Sequence, residues 1–249
     1  MNTTTTHPRG NSYDDTVGRV IDYEKLAAFL IDCLLVTRQF RGVWDVPCGT
    51  GRLLSAMRKH CPDVPLFGLD ISPQQLETAR SRSLGCTLYE NDVFALPDVM
   101  SASGSNRAFV HVGFCFFNSI PHAARVSLLS TVFQTPGAAG LGFEIQNSQF
   151  QEACFVCGKW YTQKLSSGGF LRSRSTRIAP DKKDLELEFL TDSGKRTVNE
   201  RIFDWPVEQC VSDCFAAGWF SVERMKATYR ETEHNLNSHW FVVCRKESA

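Results

Sequence analysis

Neither sign of charge prevails in this chain of 249 residues, where 27 basic side chains balance 27 acidic ones. No overall field draws it to a phosphate backbone or an anionic bilayer, so neither nucleic acid nor membrane is an expected partner and a small ligand is. Long apolar runs are missing too, which excludes a spanning helix, and residues 1–15 lack the apolar core of a secretory signal. The cytoplasm is the expected location. Met1 to Ser12, with four threonines, a proline and a glycine, reads as a flexible lead-in. No internal repeat is present.

Cysteine, by contrast, is abundant, with ten in the chain. Without an export signal these are expected as reduced thiols, many of them buried as small hydrophobes. A four-thiolate zinc site from Cys154-x-x-Cys157 and Cys210-x-x-x-Cys214 is conceivable. Yet Cys210 and Cys214 lie at helical spacing on an apolar face and neither pair sits in a knuckle-like turn, so no metal is expected.

Hydrophobic periodicity gives an alternating order. A helix is predicted over Tyr23–Leu35 and a strand over 42–46, followed by a glycine turn and a helix to His60. A second strand spans 64–70, and a helix opens at Ser72-Pro73-Gln74-Gln75 with an N-cap serine and a proline at its first position. Further strands are predicted at 86–89, 108–114 and 141–146, with a helix at 122–133. Alternation of this kind implies a parallel sheet with helices on both faces and a ligand at the strands' carboxyl ends. Beyond Gln146 the rhythm changes to strands at 160–164, 170–178, 185–190 and 198–203, separated by Gly, Ser, Pro and Asp turns. Residues 147–204 thus read as an antiparallel flap inserted into one domain spanning 1–249. Strict alternation over Leu185–Phe189 predicts that one flap face is wet. A helix at 207–217 and a closing hairpin at 219–225 and 239–244 complete a mostly parallel seven-stranded α/β sheet.

The most informative stretch is Val43 to Leu54, VWDVPCGTGRLL. A strand, a Gly49-x-Gly51 turn and a helix start in succession bring backbone N–H groups close to a ligand. Leu54 stands where a dinucleotide fingerprint would have its third glycine, which argues against hydride transfer. The stretch resembles the first motif of class I S-adenosylmethionine-dependent methyltransferases, an acidic residue followed by a Gly-x-Gly turn. Pro47 replaces the first glycine of that pattern but keeps its carbonyl. Nineteen residues past Gly51, Asp70 matches the family's second acidic position, and Asn91-Asp92-Val93 matches its adenine-contacting segment. The resemblance covers about residues 13 to 146 and its layout is similar to that of the small-molecule subset, including enzymes acting on amino sugars and amino acids.

That resemblance implies a Rossmann-like fold, S-adenosylmethionine as cofactor, and methyl transfer to a nitrogen or oxygen of a small molecule. It implies that Asp45 faces the methionine ammonium, that the carbonyl near Pro47 and Cys48 accepts from the cofactor, and that Gly49 and Gly51 let the backbone approach it. Asp70 would hold the ribose hydroxyls, and Ile71, Asp92 and Val93 the adenine. Asp70 and Asp92 have plainer readings as turn and loop residues. Tyr13, in Ser12-Tyr13-Asp14, resembles a tyrosine that closes over the cofactor in the N-methyltransferases, or else staples the first helix. Phe114, at the end of the fourth strand, would wall the site, or more plainly belong to the core. His122, with a pKa of about 6.5 if unperturbed, is the candidate base, or a solvated residue in a first helical turn. Asn118 is a candidate orienting amide. Glu144, Trp160, Tyr161, Arg172 and Arg174 are candidate substrate contacts, the arginines being alternatively a solvated strand face. His111 is read as a core histidine bonded to backbone. The alternatives to small-molecule transfer are a protein substrate, or a cofactor-binding partner subunit or cyclase that transfers no methyl. A monomer or homodimer is expected.

Overall fold

The computed structural model describes residues 21–35, 40–82, 85–113, 115–147, 157–164, 168–192, 194–227 and 239–247. The lead-in, Tyr13, Phe114 and Cys154 lie outside them. Helix α1 (Tyr23–Leu35) buries Leu26 and Leu30, two members of its predicted apolar stripe. Strand β1 (Gly42–Asp45) is buried at every position, and α2 (Arg52–His60) tucks Leu53, Leu54, Ala56 and Met57 inward. Strand β2 (Leu66–Asp70) precedes α3 (Pro73–Ser81), where the Ser72 hydroxyl accepts from the Gln75 N–H at 3.4 Å. Next come β3 (Thr87–Glu90), a 3-10 turn at Val93–Ala95 and α4 (Leu96–Ser103). Strand β4 (Ala108–Val112) leads to a single-turn α5 (Phe116–Ser119), then α6 (His122–Gln134) and β5 (Ala138–Gln146).

Four strands follow as a separate antiparallel sheet: β6 (Tyr161–Lys164), β7 (Phe170–Ala179), β8 (Lys182–Thr191) and β9 (Gly194–Phe203). Helix α7 (Val207–Ala216) returns the chain to the main sheet, which β10 (Ser221–Lys226) and β11 (His239–Arg245) complete. The main sheet runs β10-β11-β5-β4-β1-β2-β3, with β1 to β5 parallel and the last two strands antiparallel. This is the predicted α/β architecture. Among the described residues, no helix is long and apolar enough to cross a membrane.

Paired residues in a sheet project from the same face, and alternate residues return to it. Asp45 pairs with Gly68 and with His111, His111 with Gly142, and Glu144 with Phe241. Asp45, Asp70, His111, Glu144 and His239 therefore share one face, the one on which Leu26, Leu30, Leu54, Met57, Phe109 and Phe241 form a core with α1 and α2. The opposite face packs Trp44, Val110 and Phe143 against α4, α6 and α7.

The second sheet has an apolar face, with Phe189, Val198 and Ile202 buried, and a charged one. The charged face is wet, as alternation predicts, except at Glu188. Glu188 is only 5% exposed, because Arg172 and Lys195 bond to it and Trp160 lies against Arg172. The two sheets are joined at the end of β9. Arg125 of α6 is buried and donates to the carbonyls of Ile120, Phe203 and Asp204 at 2.9–3.0 Å, its guanidinium stacked over the Trp205 ring. Burial lowers its pKa to about 10, against the upward pull of nearby acidic groups such as Asp204 and Asp213.

Candidate active site

The glycine turn is the centre of the site. Gly49 and Gly51 adopt left-handed backbone, φ +52° and +74°, which lets the chain leave β1 and enter α2 within six residues. A Cβ built on Gly49 would meet nothing within 4 Å, so its exposed backbone faces open space that a ligand's amino acid or ribose can enter. The turn is pinned from below: the Cys48 N–H bonds to Leu69 at 2.9 Å and the Arg82 guanidinium to the Thr50 carbonyl at 2.8 Å. Burial pushes the Cys48 thiol well up, with Asp45 and Asp70 adding to it, so Cys48 is a neutral packing group.

Two buried carboxylates flank this turn. Asp70 accepts from the Gly49 N–H through Oδ2 and from the Ser72 N–H through Oδ1, both at 2.8 Å. Burial raises its pKa, and the two N–H groups pull it partly back. Asp45 Oδ1 meets His111 Nδ1 at 2.8 Å, both side chains being almost wholly buried. His111 is thus not the backbone-bonded core histidine expected; it holds an acidic residue of the first motif. The pairing was hidden because it depends on β4 lying next to β1 in register, which no local pattern encodes. Ile21, Tyr23, Leu26, Asp45, Pro47, Cys48, Gly49, Thr50, Arg52, Leu53, His111 and Gly113 line one pocket. Its members from α1, and His111 from β4, carried no signal in the motif itself.

Along the same edge, Asp92 caps the 3-10 turn by accepting from Phe94 N–H at 2.9 Å, next to buried Val93, and Ile71 stands 65% exposed. The remaining candidates scatter. His122 opens α6, which packs on the opposite face of the sheet; its Nε2 bonds to Asp213 at 2.9 Å, the carboxylate that also accepts from Trp205. Asn118 is buried, with Nδ2 on the Phe203 carbonyl at 3.0 Å and Oδ1 on the Gln146 N–H at 2.9 Å, which makes it a tie between the two sheets rather than an open amide. Arg172 and Arg174 pair with Glu188 and Glu186 of β8 and lie over the Trp160 ring. Tyr161 shares the other face of that sheet with Leu171 and Phe189. Glu144 is buried on the pocket's side of the main sheet and accepts from the Cys115 thiol.

Comparison with known proteins agrees with this geometry. Residues 43–135, from β1 through α6, match the family model of a methyltransferase domain. No curated protein sequence matches the chain. Among solved structures, an S-adenosylmethionine-dependent methyltransferase from Clostridium acetobutylicum is similar with a TM-score of 0.72 at 14% identity, covering 95% of this chain and 96% of that one. The CcbJ methyltransferase from Streptomyces caelestis is similar with a TM-score of 0.72 at 17% identity over 100% of both chains. CalS10 from Micromonospora echinaspora, an amino pentose methyltransferase solved with S-adenosylmethionine bound, gives 0.67 at 20% identity over 92% and 94%. At such identities the likeness is one of fold, extending through the second sheet, while the family match falls on the glycine turn and its two carboxylates. Residues 43–135 thus carry the signature of a methyltransferase domain, and the whole chain has the fold of S-adenosylmethionine-dependent methyltransferases.

Proposed function

We propose that the chain transfers the methyl group of S-adenosylmethionine to a nitrogen or oxygen of a small-molecule acceptor by in-line displacement. The observation that carries this reading is the placement of Asp45 and Asp70 on one face of the sheet around an open glycine turn. Asp45, anchored by His111, accepts from the methionine ammonium. The carbonyls near Pro47 and Cys48 assist, and Gly49 and Gly51 let the backbone approach. Each Asp70 oxygen has accepted one backbone N–H and keeps a lone pair for a ribose hydroxyl. Ile71 gives the adenine an apolar wall, with Asp92 and Val93 as its polar contacts; Tyr13 and Phe114 belong to the same reading.

The sulfonium supplies an activated methyl group when bound. The chain's own work is alignment and exclusion of water. We assign the four-stranded sheet to the acceptor's side, with Trp160 and Tyr161 as contacts. Arg172 and Arg174 would meet an acidic acceptor group only by leaving Glu188 and Glu186. Glu144 is the acidic group on the pocket's face able to hold an acceptor ammonium. His122 is given no role as base, because it bonds to Asp213 on the face of the sheet opposite the glycine turn's carboxylates. The balanced charge supports a small acceptor. So does the company of the fold: CalS10 is an amino pentose methyltransferase and MtfA, with a TM-score of 0.60 at 16% identity, a glycopeptide N-methyltransferase.

Mass spectrometry across a panel of amines, amino sugars and phenols tests it. At least one acceptor should gain one CH2 in a cofactor-dependent way. Tight cofactor binding in calorimetry with no gain on any acceptor, protein or small, would replace this reading with that of a binding protein.

A further inference from the structure

Three potential metal ligands meet at the carboxyl edge of the main sheet, among them Glu144, which would then reach an acceptor only through the ion. The Cys115 thiol, the Glu144 carboxylate and the His239 imidazole come from the end of β4, from β5 and from the start of β11. Their ligating atoms all lie within 4.8 Å of one another, and all three residues are no more than 9% exposed. Cys115 Sγ stands 3.0 Å from Glu144 Oε1. Cys115 also holds a left-handed backbone, φ +52°, unusual for a residue with a side chain, and caps α5 without any side-chain bond to it. The backbone is bent so that the thiol turns to the carboxylate instead. Strand register puts Glu144 and His239 on the face that carries Asp45 and His111, and the Phe241 ring of that face lies 6.2 Å from the ring of His111.

We propose that Cys115, Glu144 and His239 form a binding site for one divalent cation of the zinc type, beside the cofactor pocket. A tetrahedral zinc with bonds of about 2.0–2.3 Å spaces its ligand atoms roughly 3.3–3.8 Å apart, within the spread that these three groups already have. One thiolate, one imidazole and one carboxylate select a borderline-soft ion; calcium and magnesium ask for oxygen alone. Loading releases the Cys115 proton to solvent as sulfur takes the metal, so binding weakens in acid. Three protein ligands leave a fourth position for water or another oxygen, the pattern of an open rather than a closed zinc site. On the methyltransferase reading that position adjoins the acceptor's side, but the site itself is testable without methyl transfer.

Cobalt(II) reports on it directly, since thiolate ligation gives a charge-transfer band in the near ultraviolet and tetrahedral geometry gives strong visible bands. The chelator-treated full chain, titrated with cobalt, should take up one equivalent with both signatures, and zinc should displace them. Cys115→Ser should remove the charge-transfer band. Glu144→Gln and His239→Ala should weaken binding by more than the roughly 10–100-fold that loss of an outer-shell partner costs, while Cys210→Ala, in the buried thiol group of α7, leaves it intact. Circular dichroism checks each variant's fold. If Cys115→Ser does not fold, the other two variants decide. Absence of the bands from the natural chain, their persistence in Cys115→Ser, or unchanged affinity in both Glu144→Gln and His239→Ala overturns the site.

Discussion

In the seven-stranded sheet, Asp45 and Asp70 are buried and each is fixed by atoms of a neighbouring strand or turn, at 2.8 Å. In the four-stranded sheet, Asp184 and Glu186 meet Arg201 and Arg174, arginines 40–44% exposed to solvent. On the proposed function, the first arrangement spends burial free energy to hold charge where a ligand's own charge will arrive. The second holds strands in register with pairs that water screens.

The largest effect is expected at the joint between them. Arg125→Ala leaves the carbonyls of Ile120, Phe203 and Asp204 without their donor and opens a cavity beside Trp205, so it should cost about 3 kcal/mol or more in urea unfolding. A loss below about 1 kcal/mol would mean that the two sheets are not mechanically coupled there. Asp70→Asn should weaken cofactor binding by roughly 100-fold in calorimetry, since it loses a charged acceptor of the ribose. The same substitution sharpens the idea of burial free energy spent on recognition. Because the folded pKa of Asp70 lies above the unfolded one, its stabilising contribution is present below the ordinary carboxylate range and is lost as pH rises through the folded value. Stability of the ligand-free natural chain should therefore fall relative to Asp70→Asn across that acid window, and a gap that stays constant with pH would refute it. His111→Asn should reduce cofactor affinity about tenfold, or roughly 1.4 kcal/mol, while His122→Ala leaves it unchanged; the reverse order would move the site to the other face. Arg174→Gln should shift the unfolding midpoint by only about 0.5 kcal/mol.

Almost all of the main sheet was legible, because each strand or helix there is announced by its own residues. Ser72-Pro73 marks the start of α3, and Gly49 and Gly51 mark the turn. Helix α4 was missed although Pro97 opens it and Gly104 ends it, since Leu96, Val99 and Met100 are too few to show a period. Strand edges were legible to within a few residues: β5 begins at Ala138 rather than near Leu141, where glycines break the apolar run. What sequence could not supply were contacts between elements far apart in the chain. Asp45 finds His111 66 residues away, His122 finds Asp213 91 residues away, and Asn118 reaches Phe203 85 residues away. These pairings make His122 a partner of Asp213 in α7, Asn118 a tie between the two sheets, and His111 part of the pocket beside the glycine turn.

The clamp on Phe203 and Asp204 marks a natural cutting point. Asp204 also bonds back to the β7–β8 hairpin through Arg177, Lys183 and the Asp181 carbonyl, so that corner carries its own fastening. Strands exchanged between Tyr161 and Ile202 would arrive as a cassette, while Asn118, Arg125 and Trp205 stay behind as a standard socket. On the proposed function, a lineage could in this way change acceptors by exchanging the second sheet while the glycine turn and its carboxylates stay as they are.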